Sequence, residues 1–84
     1  MITRKRIYNV DELRKIQTLA KRCKEAVGIR SEDGSIVVDA KSFLGLFALD
    51  FTKPVLVVSD NIEYHKRIAH VGETLEYPPL PSKA

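Results

Sequence analysis

Polar and apolar positions change rhythm several times along these 84 residues, and each rhythm names an element. Ile2 to Tyr8 alternates loosely, with Ile2, Arg4, Arg6 and Tyr8 on one side and Thr3, Lys5 and Ile7 on the other, which is the period of a strand. From Leu13 the period lengthens. Leu13, Ile16, Leu19, Ala20, Cys23 and Val27 recur at spacings of three and four, one face of an amphipathic helix. Asn9 or Asp11 caps that helix, and Asp11-Glu12 puts negative charge in its first turn, where the macrodipole favours it. Gly28 ends the helix or opens the next strand. Val27, Ile29 and Ser31 lead into Glu32-Asp33-Gly34, whose Asp-Gly pair predicts a tight hairpin because Gly accepts positive φ. The returning strand is Ser35 to Asp39, carrying Ile36, Val37 and Val38.

The densest apolar run follows. Phe43, Leu44, Gly45, Leu46, Phe47, Ala48 and Leu49 hold no charge or polar side chain, and Ser42 before them is a preferred N-cap, so the run reads as a two-turn helix capped by Ser42. At 100° per residue, Phe43 and Phe47 share one side while Leu46 and Leu49 fall on another flank. A helix on a sheet buries one stripe, so an apolar circle implies deep burial or a partner for the excess. It is far short of the ~20 residues that span a membrane.

Pro54 then opens the strand Val55-Leu56-Val57-Val58, and Asp60-Asn61 caps a last helix containing Ile62, Ile68, Ala69 and Val71, with Gly72 as its stop. The order is βαββαβα. It predicts an α+β open-faced sandwich, a four-stranded antiparallel sheet with the helices on one face. Residues 1–76 make one domain, and residues 77–84 form a Pro-rich tail that is either a polyproline-like arm or disordered.

Composition adds little to that fold and narrows the function. With 44% hydrophobic and 30% charged residues the chain is an ordinary globular one. Cys23 alone cannot form an internal disulfide, and no signal-peptide core or transmembrane run is visible, so the expected location is the cytoplasm, with no membrane partner. A net charge of +3 helps association with acidic partners without identifying one. Arg14, Lys15, Lys21, Arg22 and Lys24 occupy the outer faces of the first helix. With no aromatic or motif beside them, solvated surface is preferred over nucleic-acid binding.

Candidate chemistry is sparse. His65 and His70 stand five apart, not at the four-residue spacing of a helical metal pair. Cys23 lies on the apolar stripe, as a structural thiol does. No Gly-rich phosphate loop or paired catalytic carboxylate stands out. The chain is therefore expected to be no enzyme and to need no metal or cofactor.

One stretch carries a resemblance. D-G-S-I-V-V-D-A-K-S-F-L-G-L-F-A-L-D-F, residues 33–51, resembles the HPr phosphocarrier family of the bacterial phosphotransferase system, in which a hairpin and strand are followed by Lys-Ser, a hydrophobic pair and often Gly. Gly34, Lys41, Ser42, Gly45 and Leu49 fit that pattern, and the likeness extends over about residues 2 to 72. The resemblance implies a βαββαβα fold and a phosphoryl-accepting histidine in a Gly-x-His-x-Arg-Pro-Ala motif opening the first helix. Here that region reads Ile7-Tyr8-Asn9-Val10-Asp11-Glu12-Leu13-Arg14, with Asn9, Val10 or Asp11 in the histidine's place. An amide cannot replace the imidazole nucleophile, and Asp11 and Glu12 would repel an incoming phosphate.

The resemblance also makes Ser42 the match of a serine phosphorylated by a dedicated kinase, with Lys41 adding charge beside it. It makes Phe43, Leu44 and Phe47 the match of a surface that meets partner proteins. Ser42 serves equally as a plain N-cap, and core packing must claim part of the apolar run. The expected function is thus an HPr-like protein without the phosphoacceptor histidine, a non-catalytic protein-binding or regulatory module working through the Ser42 helix. The alternatives are a diverged phosphocarrier using Asp11 or one of the two histidines, and a weak nucleic-acid binder.

Overall fold

The chain folds as β1 (Ile2–Arg6), α1 (Val10–Lys21), β2 (Gly28–Ser31), β3 (Val37–Asp39), α2 (Phe43–Leu46), β4 (Val55–Val58), α3 (Ile62–Ile68) and β5 (Glu73–Leu75). The computed structural model describes residues 1–79, so residues 80–84 of the expected tail lie outside the described residues. The five strands form one open antiparallel sheet in the order β3-β2-β4-β1-β5. The class is α+β.

The expected sheet of four strands is corrected to five. β1 as an outer strand would leave its backbone groups unpaired. After α3, Gly72 takes φ +67° and turns the chain back, so that Glu73, Thr74 and Leu75 pair with Arg6, Lys5 and Arg4. Lys5 Nζ donates to Thr74 Oγ1 at 2.7 Å across that pair.

The register sorts the two faces. Val57 lies opposite Thr3 and Ile29, and Val55 opposite Lys5 and Ser31. On this side Ile29, Val55 and Val57 join Leu13, Ile16 and Ala20 of α1, Leu46 of α2, and Tyr64 and Ile68 of α3 in one buried cluster. Leu56 points the other way, outside that cluster, yet is only 3% exposed. Its strand neighbours are Arg4 and Arg30, both half-buried. Arg4 also reaches Glu32 in an ion pair.

Local chemistry sets the boundaries. Asn9, Ser42 and Asn61 cap the three helices, each accepting from the backbone N–H three residues on. α1 stops at Lys21, short of Val27, because Cys23 N–H bonds Ala20 O in a tightened last turn. Val27 is still buried, in the link entering β2. The hairpin is looser than an Asp-Gly two-residue turn: Ser31 N–H bonds Ile36 O at 2.9 Å, leaving Glu32 to Ser35 in the loop with Gly34 at φ +76°. Hydrogen bonds from Ser31 and Ser35 hold the Asp33 carboxyl down at about 2. α2 is one turn, not two; beyond it Ala48 and Leu49 N–H bond Gly45 and Leu46 carbonyls three residues back. Among the described residues no helix is long and apolar enough to cross a membrane.

Candidate protein-docking site

The N-terminus of α1 closes on itself. Asn9 is extended, and its Oδ1 accepts from Glu12 N–H at 2.9 Å, while Glu12 Oε1 accepts from Tyr8 N–H at 2.7 Å. This reciprocal pair satisfies donors that an anion would otherwise find, and it sets the carboxylates of Asp11 and Glu12 in the first turn. The side chains flanking Asn9 are apolar and open: Tyr8 is 62% and Val10 51% exposed. Tyr8 OH donates to Glu73 Oε1 at 2.5 Å, which pushes the phenol up from its ordinary range, and the Arg6 guanidinium lies 5.6 Å from the Tyr8 ring centroid.

α2 divides its apolar circle. Leu46 and Leu49 are buried in the core, and Phe43 is half-buried against it. Leu44 is 83% and Phe47 56% exposed. Phe43 and Phe47 meet edge-to-face with centroids 5.2 Å apart, and the Arg14 guanidinium sits 5.2 Å from the Phe43 ring centroid. Ser42 is exposed and its Oγ accepts from Gly45 N–H at 3.3 Å. The Nζ of neighbouring Lys41 donates to Cys23 O at 2.9 Å, just past the negative end of α1.

These two regions face each other across a groove of about 310 Å³ lined by Tyr8, Val10, Leu13, Phe47, Phe51 and Thr52, with Ile7 and Asn9. The fold thus brings Asn9 and Val10 to Phe47. Lys41, Ser42, Phe43, Leu44 and Asp11 do not line the groove. Sequence reasoning misses Tyr8, Phe51 and Thr52 as site residues, although Phe51 follows Phe47 by four and continues its spacing. At the groove's end Thr52 N–H and Oγ1 both donate to Asp50 Oδ1, holding that carboxyl below its ordinary range. Among the described residues no imidazole, thiol or amine lines the groove. Its chemistry is apolar contact framed by hydroxyls and an amide.

The remaining candidates lie elsewhere. His65 is buried: Nε2–H donates to Ser59 O at 2.9 Å, so Nδ1 accepts from Thr3 Oγ1 at 2.6 Å, and the ring ties α3 to β1 and the end of β4. His70 is exposed beyond α3. Cys23 is half-buried, with Sγ donating to Leu19 O at 3.5 Å. Among the described residues no three His, Cys, Asp or Glu side chains are grouped to hold a metal ion.

Relatives add nothing to this picture. No protein-family model, curated protein or solved structure matches the chain.

Proposed function

We propose that the protein is a non-catalytic, HPr-like binding or regulatory module. It meets a partner protein through the apolar rim of Tyr8, Val10, Leu44 and Phe47, and Ser42 is the residue at which a serine kinase would act. The exposure of Leu44 and Phe47 on a one-turn helix carries this reading: two large side chains stay in water beside an apolar groove while Leu46 of the same turn fills the core. The closed cap of α1 supports the non-catalytic half. Where a phosphoryl acceptor and its anion-stabilising N–H groups would be needed, the chain supplies Asn9 bonded to Glu12 and two carboxylates.

Affinity capture with the wild-type chain and with Phe47→Asp tests the docking rim. The expected result is a protein retained by the wild type and lost by the variant; equal retention removes the rim from the reading. Incubation with enzyme I and phosphoenolpyruvate is expected to leave the chain unmodified, and an acid-labile phosphate on any residue would overturn the non-catalytic assignment. Treatment with a serine kinase and ATP is expected to add one phosphate to the wild type and none to Ser42→Ala. An unchanged wild-type mass removes the regulatory branch.

A further inference from the structure

A second surface lies on the opposite flank of α1. α1 and α3 pack side by side over the core, tied by Tyr64 OH donating to Ile16 O at 3.1 Å. Between them lies a cavity of about 270 Å³, and it shares Leu19 and Arg22 with a larger one of about 510 Å³ that runs along α1 beside Val71, just beyond α3; the shared residues join the two into one groove along α1. Half-buried Leu19 and Cys23 and buried Val71 give it apolar surface, and Arg14, Lys15, Arg22 and Arg67 stand around it. Asp11 and Glu63 are the two carboxylates among the lining residues. Glu63 is taken by Arg67 at 4.0 Å, whereas among the described residues neither Lys15 nor Arg22 has an ionic partner.

We propose that this groove receives a short acidic amphipathic helix of another protein. Lys15, Leu19 and Arg22 follow one another at four and three residues, a single line along α1 with the two cations ~10 Å apart. A helix laid alongside carries residues seven apart at that same spacing, so two carboxylates meet the cations while the apolar residue between them sits on Leu19. Charge complementarity and the apolar floor select this occupant over nucleic acid. Tyr64, the one aromatic residue of the lining, is 1% exposed and offers no face for base stacking, and a phosphate backbone has no apolar knob to fill the space over Leu19 and Val71. The proposal does not depend on the α2 rim.

The test uses two stapled peptides of about 14 residues, a length at which an unstapled helix is marginal. They have identical composition. One places Leu between Glu residues seven apart, and the other scatters them around the helix. A short DNA duplex is the third probe. The patterned peptide is expected to bind and to shift the amide resonances of Lys15, Leu19, Arg22 and Val71. Lys15→Glu/Arg22→Glu is expected to weaken it by about tenfold or more, from roughly three- to fivefold for each exposed ion pair lost. Both residues are exposed, and an unchanged melting curve shows that the variant folds. Equal binding of the scattered peptide, tighter binding of the duplex, shifts confined to α2, or no binding of the patterned peptide each overturn the proposal.

Discussion

Leu44 and Leu46 are the same residue two positions apart on a four-residue helix, and their exposures are 83% and 0%. Leu46 is enclosed by the sheet and helices, so Leu46→Ala leaves a cavity as well as losing transfer energy, at about 3–5 kcal/mol. Leu44 has less than a fifth of its surface withdrawn from water. A fully buried Leu is worth about 2 kcal/mol, so Leu44→Ala forfeits only ~0.3 kcal/mol, partly offset by the better helix propensity of Ala. For a domain of this size about 1 kcal/mol moves the midpoint by roughly 4–8 °C. Thermal unfolding followed by circular dichroism should therefore show Leu46→Ala lowered by 10 °C or more, by about the same reckoning, and Leu44→Ala nearly superimposed on the wild type. Urea unfolding should give the same ranking with an unchanged slope. If Leu44→Ala falls as far as Leu46→Ala, Leu44 is core, α2 has no apolar side to spare, and the docking rim is refuted.

Ser42→Ala loses the bond to Gly45 N–H and should cost about 0.5–1 kcal/mol, a few degrees in midpoint, while Ser42→Asp keeps an accepting oxygen and should recover most of it. Lys5 is buried, its Nζ bonded to Thr74 Oγ1, and desolvation lowers its pKa from 10.5 despite the attraction of Glu12. The unfolded chain then binds more protons than the native one between the lowered pKa and 10.5, so wild-type stability should rise with pH through that window. Lys5→Met should be neutral or stabilising by ~1–2 kcal/mol at pH 7, an advantage that shrinks as pH rises through that window and is gone only above it, with urea midpoints as the check; Thr74 Oγ1 keeps its bond to Ala69 O. Gly72→Ala puts a Cβ 2.7 Å from Arg6 O at φ +67° and should cost at least about 2 kcal/mol in urea unfolding, whereas Gly34→Ala, with open space at φ +76°, should cost only ~1 kcal/mol.

Elements with a local cause are legible in the amino-acid sequence. Asn9 and Ser42 announce their helices, the alternation of Ile2 to Tyr8 announces β1, and Val55 to Val58 can be little but a strand. β5 is not legible, because Glu73-Thr74-Leu75 has no apolar pattern and is held only by the edge of β1, reached through the positive φ of Gly72. The alternation in β1 defines two sides but not which one faces the helices, since Arg4 and Arg6 lie on one and Lys5 on the other. The register with Val55 and Val57 settles it by burying Lys5. The candidate site divides in the same way. Leu44 and Phe47 stand out as excess apolar surface within one helix, whereas Tyr8 and Phe51 join them only after the loops on either side are folded together.

The same separation explains how this chain carries both an apolar rim and a closed helix terminus at one end of the fold. An anion site needs backbone N–H groups left free and a cation nearby. Here Glu12 returns to Tyr8 N–H, Asn9 takes Glu12 N–H, and the Lys41 ammonium is engaged by Cys23 O. Nothing comparable consumes the apolar side chains. Phe47 meets Phe43 edge-to-face and lines the groove yet keeps more than half its surface in water, and Leu44 has almost no cover. The proposed partner would meet hydrophobic area and an already satisfied helix cap at this end, so its affinity would come mainly from shape and burial.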